Sequence, residues 1–146
     1  VALDLDAVAN GLAAAVKAAQ VTLAGVSVIA TPFQPASITP PHFVVGTFVL
    51  NPDRTFGGMD EVTFTCRLYV ARGDEPDNQQ AARQAASSRT TQSMKAALEA
   101  ARGAPGQLAL GGAADDLNVQ RISGPHLYDI AGAMFYGIEY QVLVVG

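Results

Sequence analysis

A chain of 146 residues with a net charge of −4 and a pI near 4.9 fits one domain, 1–146, and its scattered basic residues exclude a phosphate-neutralising nucleic-acid binder. Charged residues make up 15% and the mean hydropathy is +0.22, so either self-association hides apolar surface or abundant Ala and Gly inflate both figures. No apolar run approaches the roughly 20 residues of a membrane span, and no signal peptide is evident, so a chain made and kept in a cytoplasm, or in something assembled there, is expected.

Asp4 or Asp6 can cap a helix running to about Ala19. Leu5, Val8, Ala9, Leu12, Val16 and Ala19 recur at spacings of three and four and form one apolar stripe, with Gly11 its weak point. Val26 to Ile29 reads as a short strand. Pro32, Pro35, Pro40 and Pro41 make the next segment an extended, stiff connection, neither helix nor central strand. His42 to Leu50, rich in Phe and Val, reads as a strand. Turn chemistry from Asn51 to Gly58 joins it to the next strand in an antiparallel hairpin with a long tip.

The run from Glu61 to Arg72 alternates with a period of two. Val62, Phe64, Cys66, Leu68 and Val70 share a core face, and Glu61, Thr63, Thr65, Arg67 and Tyr69 share the other. Asp77 to Ala86 reads as a helix. Hydroxyl residues from Ser87 to Ser93 compete for backbone hydrogen bonds and break it near Ser88. A second helix follows from about Gln92 to Arg102, with Met94, Ala97, Leu98 and Ala101 on one side. Leu108 to Asp116 is a loop, Leu117 to Ser123 a strand, and Gly124-Pro125-His126 a turn. In the last strand, Ala133 to Val145, the residues Met134, Tyr136, Ile138, Tyr140, Val142 and Val144 share one face. The expected fold class is α+β: a mostly antiparallel sheet of about four to five strands with helices packed on one face.

Chemistry-bearing patterns are sparse. Phosphate-loop, dinucleotide and nucleophile-elbow motifs do not occur. The lone Cys66 excludes an internal disulfide and reads as a small buried hydrophobe. His42 and His126 have no neighbour at metal-ligand spacing and read as surface histidines. Gly57-Gly58 and Gly111-Gly112 read as permissive turn positions. Asp115-Asp116 reads as a solvated turn or cap, and Asp60-Glu61 and Asp74-Glu75 as charged strand ends that discourage wrong edge pairing. No catalytic, cofactor-binding or metal residue is assigned.

Four pieces in this order resemble the tail terminator (tail completion) proteins of long-tailed bacteriophages, especially those of actinobacterial hosts. They are the helix Asp4 to Ala19 followed by a strand and the proline-rich Pro32 to Pro41; Gly57 to Val70; the helix start Ser93 to Glu99; and Leu108 to Val119, leading to a strand with Tyr136-Gly137-Ile138-Glu139-Tyr140. The resemblance covers most of the chain. It implies a virion protein, made in the host cytoplasm, that forms a homo-oligomeric ring, usually hexameric. The ring caps the head-proximal end of the tail tube, ends tube polymerisation and docks to the head connector. The partners implied are the chain itself, the tail tube protein and head–tail connector proteins; DNA only passes through the lumen, and no cofactor or membrane is involved. Thr63, Thr65, Arg67 and Tyr69 are candidates for the oligomer interface, because Tyr and Arg are enriched there. The tip Asp53, Arg54, Thr55, Phe56, Gly57 and Gly58 is a candidate contact loop to a neighbour or the tube. Two alternatives stand beside this reading. One is another head–tail joining protein (connector or stopper) or a tail tube subunit. The other, of a different class, is a small ligand-binding or enzymatic α+β domain, which would need a pocket with convergent polar groups.

Overall fold

The computed structural model describes residues 3–23, 25–52, 59–72, 76–87, 93–102 and 107–146. Asp4 opens helix α1 (Leu5–Ala18): its carboxylate accepts from the N–H groups of Asp6 and Ala7 at 3.1 and 3.3 Å, two donors that a helix start leaves unpaired. The buried stripe of α1 is Val8, Ala9, Leu12, Ala13 and Val16; Ala19, counted on it from the sequence, is exposed.

The expected strand Val26 to Ile29 is instead divided. Thr22–Leu23 (β1) and Val26–Ser27 (β2) form a small antiparallel pair, and Ile29–Thr31 (β3) joins the main sheet. The main sheet also contains β4 (His42–Asn51), β5 (Glu61–Arg72), β6 (Asp116–Ile130) and β7 (Ala133–Val145), in the order β3-β4-β5-β7-β6. All its pairs are antiparallel except β3 with β4. The α+β class and the mostly antiparallel sheet are therefore as expected.

Parallel neighbours cannot be joined by a tight turn, so the chain between β3 and β4 must cross over the sheet. Residues 32–41 make that crossover. Ile38 packs with Val44, Tyr69 and Phe135, on the side away from the helices. Four prolines suit a segment that needs no ladder hydrogen bonds.

The other face of the sheet carries the main core. Phe43 and Val45 of β4, Val62, Phe64, Cys66 and Leu68 of β5, and Tyr136, Ile138, Tyr140, Val142 and Val144 of β7 pack with α1, α2 (Pro76–Ala86) and α3 (Met94–Glu99). The period of two in β5 and β7 is realised; Met134, read on the same face, is exposed. Pro76 sits at the first position of α2, where its missing N–H costs nothing. Ser93 caps α3 by accepting from the Ala96 N–H at 3.2 Å, and Met94, Ala97 and Leu98 are buried as expected. The expected break near Ser88 falls at residues 88–92, which lie outside the described residues. The Tyr140 hydroxyl donates to the Ala85 carbonyl at 3.1 Å, tying the centre of the sheet to α2.

One expected turn is wrong. Gly124-Pro125-His126 does not end a strand; β6 runs through it from Asp116 to Ile130, with a bulge between Ser123 and His126. A bulge absorbs the glycine and the proline without reversing the chain. The reversal comes at Ala131-Gly132, both at positive φ (52° and 85°) with Ile130 opposite Ala133. That is the two-residue hairpin turn in which both central residues are left-handed. Ala131 carries a Cβ in that region, where Asn is tolerated better. Ala131→Asn is therefore expected to raise stability by about 0.5–1 kcal/mol, read as a higher denaturation midpoint at unchanged slope. A lower midpoint would show that the turn has another geometry.

Candidate functional site

The outer face of the sheet, away from the helices, is divided into two halves. Near the His42 end of β4 it is covered by the crossover. Near the Asn51 end no segment among the described residues covers it, and Thr63 and Thr65 of β5 lie beside Gln141 and Leu143 of β7, Val49 of β4, and Asn118 and Arg121 of β6. Thr63, Thr65 and Arg67 are half-buried.

Tyr69, named with them as an interface candidate, is different: it has no exposed surface. Its hydroxyl donates to Gln34 Oε1 at 2.9 Å, and its ring meets Tyr128 edge-on at 5.7 Å and Phe135 at 5.9 Å. Alternation placed Tyr69 on the right face but could not show that the crossover seals it. In the folded monomer Tyr69 is a core residue of the second face and offers no contact surface.

Arg67 is also engaged within the chain. Its guanidinium lies 4.5 Å from the centroid of the Tyr128 ring, and Glu139 is its cross-strand neighbour. Partial burial opposes its charge, but Tyr69, Tyr128 and Glu139 outweigh this and hold its pKa above the ordinary value. Tyr128 in turn has its pKa pushed up to about 12, by burial first and then by Glu139, to which its hydroxyl donates at 3.4 Å. Arg67→Glu would set two carboxylates opposite each other and remove the cation from the ring. It is expected to lower monomer stability by about 1–2 kcal/mol, measured by denaturant unfolding. An unchanged midpoint would show that the cluster contributes nothing.

The two edges of the sheet are treated unequally. On β6, Arg102 Nε donates to the Leu117 carbonyl at 2.8 Å and pairs with Asp116 at 3.2 Å, while Pro125 and two register shifts interrupt the rest. These are devices that stop another strand from adding. On β4, β3 pairs only with His42 to Val44. Beyond Val44 no strand lies on that edge among the described residues. The open stretch, Gly46-Thr47-Phe48-Val49-Leu50-Asn51, has no charge and no proline. Phe48, Val49 and Leu50 are 51%, 64% and 37% exposed. The stretch is half of a hairpin, as its composition predicts, but nothing in its local pattern signals that its outer side is open. The candidate contact loop that follows, Asp53 to Gly58, lies outside the described residues.

Among the described residues the chemistry-bearing side chains do not converge. Cys66 is fully buried, as expected, and burial pushes its thiol up to about 12 despite a smaller opposing hydrogen bond at Gly46. Among the described residues no group of three or more His, Cys, Asp or Glu is placed to hold a metal. Nor is any helix among them long and apolar enough to cross a membrane. A cleft of about 570 Å³ at the end of α1 has, among the described residues, Lys17 as its one charged lining residue, beside Gln20, Thr22, Ser27 and apolar groups. His126 is exposed, as read from the sequence, but His42 is not: it is 4% exposed, at the start of β4. Compared with known proteins, the chain matches no family model, no curated protein and no solved structure.

Proposed function

We propose that this protein is a structural assembly unit of the tail-terminator kind, which forms a ring of six copies at the head-proximal end of a phage tail tube. The observation that supports it most is the contrast between the sheet's two edges: β6 is blunted, while β4 keeps an open, uncharged, apolar stretch. An edge of that kind invites pairing and is a hazard in a protein that stays alone. Beside it lies a sheet face of Thr, Gln and apolar side chains, uncovered among the described residues and mixed as interfaces are. A closed ring needs one patch of each copy to meet a different patch of the next. The β4 edge with Val49, Thr63 and Thr65 supplies the first patch. A net charge of −4 per copy lets DNA pass a lumen without sticking.

The experiment is tube growth. Purified tail tube protein is allowed to polymerise with and without this protein, and tube lengths are read by negative-stain imaging. A terminator shortens the tubes at substoichiometric amounts and is found at one end. Tubes of unchanged length with no end density would remove the terminator assignment, and co-assembly along the whole tube would make it a tube subunit.

A further inference from the structure

His42 sits where the crossover returns to the sheet. Its Nε2 is 3.0 Å from Thr31 Oγ1, and Thr31 Oγ1 donates its proton to the Phe33 carbonyl at 2.7 Å. A hydroxyl has one proton, so toward His42 it accepts. The imidazole therefore carries its proton on Nε2, and Nδ1 is a bare acceptor. Nδ1 is sealed from solvent and has no hydrogen-bond partner among the described residues. The chain is held at three points here: Thr31 through His42, Gln34 through the Tyr69 hydroxyl, and Pro41, whose carbonyl accepts from the Ile29 N–H at 3.0 Å.

A proton on Nδ1 would create a charged donor with no acceptor in a sealed site, which is costly. The surroundings do not soften that cost. Residues 32–41 contain no ionisable side chain, and neither does β3. On the same sheet face, β5 presents Arg67, Tyr69 and Arg72, β6 presents Arg121, His126 and Tyr128, and β7 presents Glu139. Arg67 and Arg72 oppose a further positive charge. Glu139 is already engaged by Tyr128 and stands opposite Arg67.

We propose that residues 32–41 are an acid-released strap: neutral His42 latches them over the outer face, and a second proton on His42 frees them and uncovers Ile38, Val44, Tyr69 and Phe135. Burial lowers the pKa of His42 below the ordinary histidine value, in the same direction. The folded chain thus takes the proton less readily than the unfolded one. The latch is fully effective above about pH 6.5 and weakens as pH falls below it. Release would extend the half of the sheet face near Asn51 with an aromatic patch, so acid would change the surface this protein shows to others. This does not depend on the terminator reading.

Two measurements on the full chain test it. Amide hydrogen exchange is followed from about pH 7.5 to about pH 5, corrected for the intrinsic pH dependence of exchange, in the wild type and in His42→Gln. Protection of the Ile29 amide and of residues 32–41 is expected to fall by up to about tenfold per pH unit below about 6.5 in the wild type, and to stay level in His42→Gln. Nitrogen-15 spectra of the wild type near pH 7.5 are expected to show His42 neutral with the proton on Nε2, which needs no variant. Equal pH profiles in the two proteins would overturn the proposal. So would a His42 that is protonated, or carries its proton on Nδ1, near pH 7.5. The exposed His126 is common to both proteins and cancels in the comparison.

Discussion

Val49→Lys is expected to hold the protein as a folded monomer. Val49 lies on the open edge stretch of β4, 64% exposed and opposite Thr63, so lysine there displaces no core contact. Stability should change by less than about 0.5 kcal/mol, as for surface positions away from special features. Assembly is different. An ammonium carried into the buried contact between copies loses its water, and the stretch that carries it, Gly46 to Asn51, holds no carboxylate to pair with it. Penalties of several kcal/mol per contact correspond to an association weakened by at least about a hundredfold. Sedimentation of the variant beside the wild type checks this. Normal assembly of a folded Val49→Lys protein would move the interface away from β4.

Gly137→Ala is expected to have the largest effect on the monomer. Gly137 lies in β7 opposite Tyr69, between β5 and β6. A Cβ there would stand 2.6 Å from the Leu68 carbonyl oxygen and 3.3 Å from Tyr128 Cε2. The tyrosine ring can give a few tenths of an ångström. The carbonyl belongs to β5, which is clamped between β4 and β7, and has nowhere to go. Overpacking of this kind costs about 3 kcal/mol, equivalent to a melting temperature lower by about 10 °C in a domain of this size. Thermal unfolding with the wild type alongside checks it. A shift under about 2 °C would mean that the strands separate readily at this point.

Much of this architecture was legible because it rests on period. The alternation in β5 and β7 and the three-and-four spacing in α1 each name a buried face, and those faces are the ones that meet. What period cannot supply is cover. Tyr69 and Arg67 stand on the face opposite the core, as alternation says, yet only Arg67 keeps any surface. The difference comes from Gln34 and Ile38 in the crossover, and from Tyr128 and Phe135, all far away in sequence. The parallel pairing of β3 that sends the crossover over that face has no local signature. His42 was misread for the same reason. The hairpin turn was misplaced because Gly124-Pro125 carries the stronger turn composition, while Ala131-Gly132 lacks the Asn or Asp that usually marks its geometry. The free edge of β4 is invisible to any local pattern, since an edge is defined by a strand that is not there.

The most direct test of the central claim is the solution mass across a concentration series, by light scattering after size exclusion, with negative-stain images of each large species, alone and with purified tail tubes. A closed ring with a mass near six times 15.1 kDa, formed alone or on the tube end, is expected. A 15.1 kDa monomer at every concentration, which also leaves tail tubes bare, would contradict it.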